Sequence, residues 1–542
     1  MPLDNDGDLT LTELISSLLH RIPNLLSFKS KWSSIRVKLA HLNTHLSVFP
    51  ASPSNQLSLD LLLSLRETLL AAVSVAARCE GPDLSEGKLK TQSDVDSISA
   101  RLDRHVKDAE VLIKSLIQDN GTTVSKKEAA ARNLVIRLQI GEPESKNSAI
   151  ESLLDLIQGD DKNVVISVSQ GVVPVLVRLL DSCSSLSMKE KVVAVVSRIS
   201  TVEGSKHVLI AEGLSLLNHL LRVLDSGSSF GKEKACVALQ ALSLSKENAR
   251  AIGCRGGISS LLEICQAGTP ASQAFAAGVL RNLALFAETT KENFVEENAV
   301  FVLVSLGCSG TVPARENAVG CLGNLASGDE DMMMLIVREG GIKCLKSFWD
   351  SVSDAKSIEV GVMLLKNLAL CPIVREVVIS EGFIPRLVQV LSCGVLGVRI
   401  AAAEAVSALG FCSKSRKEIG ESGGIGALID MLDGKAMEEK EAASKALSTL
   451  LVCTSNRKIF KRSDKGILSL VQLLDPKIMK LDRRYTISAL ELLVTSKKCR
   501  KQVVAAGACL HLQKLVEMDV EGATKLAENL ARSKIWGVFA RP

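Results

Sequence analysis

Groups able to do chemistry are present in this chain, but they are scattered. The seven histidines, His20, His41, His45, His105, His207, His219 and His511, share no spacing with cysteine or carboxylate partners. His41 and His45 stand four apart, on one helical face, yet a zinc site needs three or four ligands and no further one lies close in sequence. The fourteen cysteines include no Cys-x-x-Cys pair, and residues such as Cys236, Cys321 and Cys412 read as small buried side chains of a reducing compartment. No Gly-x-x-x-x-Gly-Lys-Ser/Thr phosphate loop, nucleophile elbow or His-Glu-x-x-His motif occurs. Gly423-Gly424-Ile425-Gly426 does not follow a strand and reads as a helix cap. Lys497-Lys498-Cys499-Arg500-Lys501 reads as a solvated basic face near a helix end. The expectation is a non-enzymatic chain with no metal and no cofactor.

The information lies instead in the spacing of structural residues. Gly171, Gly213, Gly257, Gly341, Gly382, Gly424, Gly466 and Gly507 recur, with Asn298 in the one gap, at intervals of 42, 44, 41, 43, 41, 42, 42 and 41. A short apolar stretch follows each. A period near forty with helical patterning marks a solenoid, whose units bury their apolar faces only against neighbours. Within a unit come a short helix such as Arg375 to Ile379, a glycine, an apolar helix, a turn, and a longer alanine-rich helix. In Gly382-Phe383-Ile384-Pro385 the glycine is expected to end one helix in a left-handed cap and the proline to sit in the first turn of the next.

Residues 8 to about 118 lack this period and predict four long helices over 8–28, 30–47, 55–79 and 88–117. Breaks fall at Pro50 and Pro53 and at Glu80-Gly81-Pro82-Asp83. The turn-rich Asp119 to Thr123 marks a boundary. The expected organisation is an N-terminal helical bundle over 1–118, a linker over 119–127 and a solenoid of about nine to ten units over 128–542, its first and last units irregular. The first unit holds Glu128 to Leu134 and a helix from Ser148 to Ile157.

Composition agrees. Apolar residues reach 46% but aromatics only 3%, so the core must be Leu, Val, Ala and Ile, as closely stacked helices require. A net charge of +5 over 542 residues disfavours nucleic acid as the main partner. Mean hydropathy is positive, +0.23, yet charges such as Arg66 and Glu67 interrupt each apolar run. No transmembrane segment is expected, since a span needs about 20 apolar residues. Met1 to Asp6 lacks a signal-peptide pattern, and Pro2 stands where myristoylation requires glycine. A soluble protein, cytoplasmic and/or nuclear, is expected.

The units resemble armadillo repeats. Gly171-Val172-Val173-Pro174-Val175-Leu176-Val177-Arg178-Leu179-Leu180 follows the Gly-x-Ile-Pro-x-Leu-Val-x-Leu-Leu pattern. Leu280-Arg281-Asn282-Leu283-Ala284, Leu322-Gly323-Asn324-Leu325-Ala326 and Leu365-Lys366-Asn367-Leu368-Ala369 match the ending of the third helix. The resemblance covers about residues 125 to 542 and implies an all-α, right-handed superhelix. The bundle is similar to the helical domain that precedes the repeats in plant armadillo proteins, including the U-box ubiquitin-ligase group. The U-box landmarks Pro-Ile-Ser, Asp-Pro-Val and Thr-Tyr-Glu-Arg are absent, and the one tyrosine, Tyr485, lies inside a repeat.

In the armadillo family the third helices line a concave groove, where a recurrent asparagine hydrogen-bonds the backbone of an extended peptide. An amide both donates and accepts, so it can satisfy a peptide group without reading its side chain. Here that position runs Arg198, Gln240, Asn282, Asn324, Asn367, Gly410, Ser448, Glu491 and Asn529. The resemblance implies a binding stretch of Gln240, Asn282, Asn324 and Asn367, Ser448 farther along, and Arg198 and Glu491 as charged ends that set peptide direction. The alternative role of the amides is to cap helices or bridge repeats. Importin-alpha places tryptophan four residues before each asparagine, whereas here Gly278, Gly320 and Met363 stand there, which disfavours import cargo. Trp349 is expected in the core, and Gly278, Gly320 and Gly323 are expected to allow tight stacking.

The implied function is a protein-protein adaptor that binds extended or helical partner segments and no small-molecule substrate. The rivals are a regulatory component of ubiquitin signalling without its own U-box and a peripheral membrane tether similar to the vacuolar armadillo proteins.

Overall fold

The computed structural model describes residues 10–47, 56–81, 87–119, 126–182, 185–286, 288, 290–352 and 354–531, and every regular element among them is helical. The fold is an all-α helical-repeat solenoid with a helical bundle N-terminal to it in sequence. The chain forms two compact units, Met1–His219 and Leu220–Pro542.

In the first unit, α1 (Leu11–Arg21) opens on a capping box: Thr10 Oγ1 accepts from Glu13 N–H, and Glu13 Oε2 accepts from Thr10 N–H. The single helix expected over 8–28 does not form. Pro23 cannot donate to the ladder, so α1 ends at Arg21 and Ile22–Asn24 make a tight 3-10 turn. α2 (Lys29–Leu46), α3 (Gln56–Arg78) and α4 (Lys88–Asp119) complete the bundle around Leu18, Trp32, Leu39, Leu69 and Leu102. Lys31–Asp96 and Lys38–Asp103 tie α2 to α4. Pro2, the Pro50 and Pro53 break, most of the 119–127 linker and Trp536 lie outside the described residues.

α5 (Lys126–Ile140) and α6 (Pro143–Gln158) begin the array. α6 starts five residues before the expected Ser148, because Pro143 occupies the first helical turn, where its missing N–H is no loss. Ile136 of α5 belongs to the same buried cluster as the bundle core, so the first compact unit continues through the opening repeats.

In the repeats the left-handed residue is not always the periodic glycine. Gly171, Gly213, Gly382 and Gly507 have φ of 77°, 58°, 75° and 88°, and Asn298 has 53°. In three units the preceding glycine takes this conformation: Gly256 at 78°, Gly340 at 93° and Gly423 at 95°. Gly257, Gly341 and Gly424 are then the first helical residues, where a Cβ would meet a backbone carbonyl oxygen of the previous helix, Ile252, Ile336 or Ile419, at 2.7, 2.7 and 2.9 Å. Each Gly-Gly pair thus serves two needs, a turn and a close approach. Gly466 has no positive φ and lies within the helix Asp464–Gln472.

The third helices, labelled onward from α6, are α7 (Leu186–Ser200), α8 (Ser229–Leu242), α9 (Pro270–Ala284), α10 (Val312–Leu325), α11 (Ala355–Leu370), α12 (Leu396–Leu409), α13 (Met437–Leu450) and α14 (Arg483–Leu493). From α8 to α14 each packs directly on the next. Trp349 is half-buried, its ring edge-on to the fully buried Phe383 at 6.1 Å between centroids. Cys236 and Cys321 are buried, but Cys412 is exposed, contrary to expectation. It occupies the N-cap of the helix Ser413–Glu421, where its sulfur accepts from Ser415 N–H at 3.4 Å, a half-open position that serine or threonine usually fills.

Candidate protein-binding face

The recurrent amides end up doing the same thing in successive repeats. Asn282 Nδ2 donates to Gln240 O at 2.9 Å, Asn324 Nδ2 to Arg281 O at 2.9 Å and Asn367 Nδ2 to Gly323 O at 2.8 Å. Arg198 Nε makes the equivalent bond to Ile157 O at 3.0 Å in the first unit. Each acceptor lies among the last four residues of the preceding third helix or of α6, where carbonyls have no intrahelical partner. The ladder therefore bridges repeats. In each asparagine the amide oxygen accepts no hydrogen bond among the described residues, and Asn282 and Asn324 are only half-buried.

The positions that hold tryptophan in importin-alpha are closed from within the fold. The side-chain amide of Gln240 lies against Gly278, where any Cβ would collide with it. The Arg281 guanidinium lies over Gly320, with Nε 2.5 Å from where a Cβ would stand. At Gly323, by contrast, a Cβ would meet the Leu364 backbone at 3.6 Å, an ordinary contact, so the tight stacking expected there does not depend on glycine. Met363 stays 40% exposed.

The two charged ends are both paired. Arg198 Nη2 reaches Asp161 at 2.6 Å, and Glu491 Oε2 accepts from Lys525 at 2.9 Å. Glu491 opens on a hollow lined by Tyr485, Ser488, Gly522 and Lys525, and Lys445 lies over the Tyr485 ring at 5.6 Å. Ser448 donates to Lys445 O within its own helix. The described face thus joins Gln240, Asn282, Asn324, Asn367, Ser448 and Glu491 along α8 to α14, while Arg198 belongs to the first compact unit.

Sequence reasoning missed a second column. Arg375, Arg416 and Arg457 each donate to two carbonyls at the end of the preceding third helix, namely Ala369 and Leu370, Gly410 and Phe411, and Leu451 and Val452. Arg500 donates to Val494 O. Their spacing of 41, 41 and 43 was a readable signal.

The bundle carries a cavity of about 370 Å³ beside the first repeat, lined in part by Asp60, Arg101, Arg104, His105, Asp108 and Glu142. Thr68 Oγ1 donates to Ser64 O at 3.0 Å, so it accepts from His105 Nε2–H at 3.0 Å. Burial, aided by Arg101 and Arg104, pushes His105 down from 6.5 to about 4. Burial pushes Asp108 up from 3.8 to about 6. The two act oppositely on stability. Acidification through Asp108's window, about 6 down to 3.8, adds stability, because the folded state binds the proton more readily there. Acidification through the His105 window, 6.5 down to about 4, removes it. Asp108→Asn is therefore expected to lose stability more steeply than wild type between these limits, and His105→Asn to lose less or gain. Urea midpoints measured across that range check both; parallel curves for all three proteins would refute the assignment.

No group of three metal-ligating side chains occurs among the described residues, and no single helix there is long and apolar enough to cross a membrane. His45 sits 3.8 Å from Glu110.

Comparison with known proteins agrees with this geometry at the level of fold. A family model described as a domain of unknown function (DUF7032) matches residues 9–117, the span of the bundle. No curated protein matches the chain. Among solved structures, a crystal structure of an engineered protein from the Northeast Structural Genomics Consortium is 24% identical, with a TM-score of 0.63, over 74% of this chain and 98% of its own. A second engineered protein from that consortium is 25% identical, with a TM-score of 0.41, over 44% of this chain and 97% of its own. The first likeness extends to three quarters of the chain and shows the fold, an all-α helical-repeat solenoid.

Proposed function

We propose that the chain is a non-enzymatic armadillo-repeat adaptor whose third-helix face holds an extended segment of a partner protein. The observation that carries this reading is the pinned amide row. Each asparagine donates an N–H to the repeat behind it, which fixes the amide and leaves the half-buried Asn282 and Asn324 with oriented oxygen acceptors on successive units of one face. A regular row of acceptors suits the N–H groups of an extended backbone. Asn282 spends both of its N–H groups, on Gln240 O and Ser243 Oγ, and is left as an acceptor, whereas Asn324 and Asn367 each keep a second N–H beside the oxygen.

The test must block the face without breaking the bridges. Met363→Arg with Ser448→Arg adds bulk and charge at a 40% exposed position and a half-exposed one, and neither side chain bridges repeats. Affinity purification of tagged wild type and this double variant, after matched thermal melts, should show a defined set of partners lost from the variant. An unchanged partner set would overturn the reading.

A further inference from the structure

The second compact unit presents another surface, at the turns between third and first helices of its last four repeats. Leu370, Phe411 and Val452 occupy the same place in consecutive repeats, 41 residues apart, and are 52%, 71% and 48% exposed. Ile373, one turn from Leu370, is 70% exposed. These side chains stand on rigid turns. The Arg375, Arg416 and Arg457 bonds fix the backbone carbonyls of Leu370, Phe411 and Val452, and the Arg375 guanidinium stacks on the Phe411 ring at 4.9 Å. Apolar groups pre-ordered in this way lose little further freedom when a partner covers them.

Along the same row the character changes from apolar to basic. Residues 454–463 and 495–516 contain no acidic residue, and between them they carry Lys458, Lys461, Arg462, Lys497, Lys498 and Lys501. None of these six forms an ion pair among the described residues, and all but the half-buried Lys461 are exposed. Gln502 donates to Asp464 at 3.0 Å, so the start of the helix Asp464–Gln472, two residues after Arg462, lies against Lys497–Ala505 and brings the two basic groups near each other with the one carboxylate of Asp464 between them. Elsewhere on this unit several cations are matched, as in Lys366–Glu404, Arg399–Glu439 and Lys525–Glu491.

We propose that this edge, from Leu370 to Lys501, docks an acidic segment of a partner protein bearing aromatic or aliphatic anchors at one end. Charge complementarity selects the acidic half, since six unpaired cations attract carboxylates and repel basic partners. The spaced apolar row selects a protein over a nucleic acid, whose phosphates give Phe411 and Val452 nothing to bury. This surface begins at the C-terminal end of the third helices, where Leu370 closes α11.

The full chain would be tested by fluorescence anisotropy with a labelled synthetic peptide that carries two phenylalanines followed by a run of glutamates. Controls are the same peptide with serine for phenylalanine, the same with glutamine for glutamate, phosphatidylserine vesicles and a single-stranded oligonucleotide. The anchored acidic peptide is expected to bind most tightly, and raised salt to weaken it. Joint Lys458→Glu, Arg462→Glu, Lys498→Glu and Lys501→Glu should weaken it by about tenfold or more, and Phe411→Ala with Val452→Ala by roughly tenfold. Should the reversal variant melt early, the same four positions changed to glutamine decide, with a smaller loss in the same direction. The proposal fails if the anchored peptide does not bind, or binds all variants alike. It fails equally if vesicles or the oligonucleotide alone show dependence on the four cations.

Discussion

Replacing Asn282, Asn324 and Asn367 together by alanine is expected to lower the stability of the chain by about 3–6 kcal/mol, roughly 1–2 kcal/mol for each bridge. Every substitution removes a donor to a carbonyl at the end of the upstream third helix, Gln240, Arg281 or Gly323, although Gln240 O keeps a second donor in the Ser243 hydroxyl at 3.0 Å. Those carbonyls have no intrahelical partner. The loss should be largest at Asn367, only 7% exposed, where water cannot easily take the place of the amide. In a solenoid, stability is close to a sum of unit and interface terms, so three weakened neighbouring interfaces should also broaden the transition. Asn324→Asp should be as harmful as alanine, since a carboxylate offers no donor and repels the Arg281 carbonyl. Urea unfolding followed by helical circular dichroism gives the answer. A triple variant within about 0.5 kcal/mol of wild type would mean that the bridges contribute nothing net, and that the amides are free to serve a ligand with both of their groups.

The same substitutions explain why the third-helix face was only half legible. Amides at a 42- or 43-residue spacing are visible as letters, but the acceptor of each is a backbone carbonyl one repeat away, which carries no side-chain signature. The period itself was readable because a left-handed cap excludes nearly every residue but glycine and asparagine. Its register was ambiguous at Gly256-Gly257, Gly340-Gly341 and Gly423-Gly424, where two adjacent glycines meet two different constraints, a positive φ and a carbonyl in the way of a Cβ. Gly278 and Gly320 could be recognised as marking a close approach. That the approaching groups are the Gln240 and Arg281 side chains depends on the stagger of one third helix on the next, which only coordinates supply. Phe411 and Val452 were equally invisible as a surface, since apolar residues beside a helix end read as core until the turn is seen to face solvent.

Arg399→Ala should be the most damaging single change to an ion pair in the array, at about 3–5 kcal/mol, the range expected when a buried charge loses its partner. Arg399 Nε and Glu439 Oε1 are 2.6 Å apart, and the two side chains differ sharply in burial, 21% exposed for the arginine against 4% for the glutamate. Without the guanidinium, the Glu439 carboxylate keeps only the first turn of α13, whose N–H groups and dipole favour an anion by about 0.3–1 kcal/mol. The reverse deletion, Glu439→Ala, leaves a guanidinium that can reach water and still donates to Cys393 O at 2.7 Å, so it should cost distinctly less. Arg399→Met with Glu439→Leu removes both charges and should recover to within about 1 kcal/mol of wild type, since apolar pairs often replace buried ion pairs without loss. Lys366–Glu404, on the adjacent pair of third helices, is 23% and 38% exposed, and Lys366→Ala should change stability by no more than about 0.5–1 kcal/mol. A double-mutant cycle over Arg399 and Glu439, read by urea midpoints, checks the asymmetry. Equal losses from the two single deletions would show that water reaches Glu439 and that desolvation does not govern this pair.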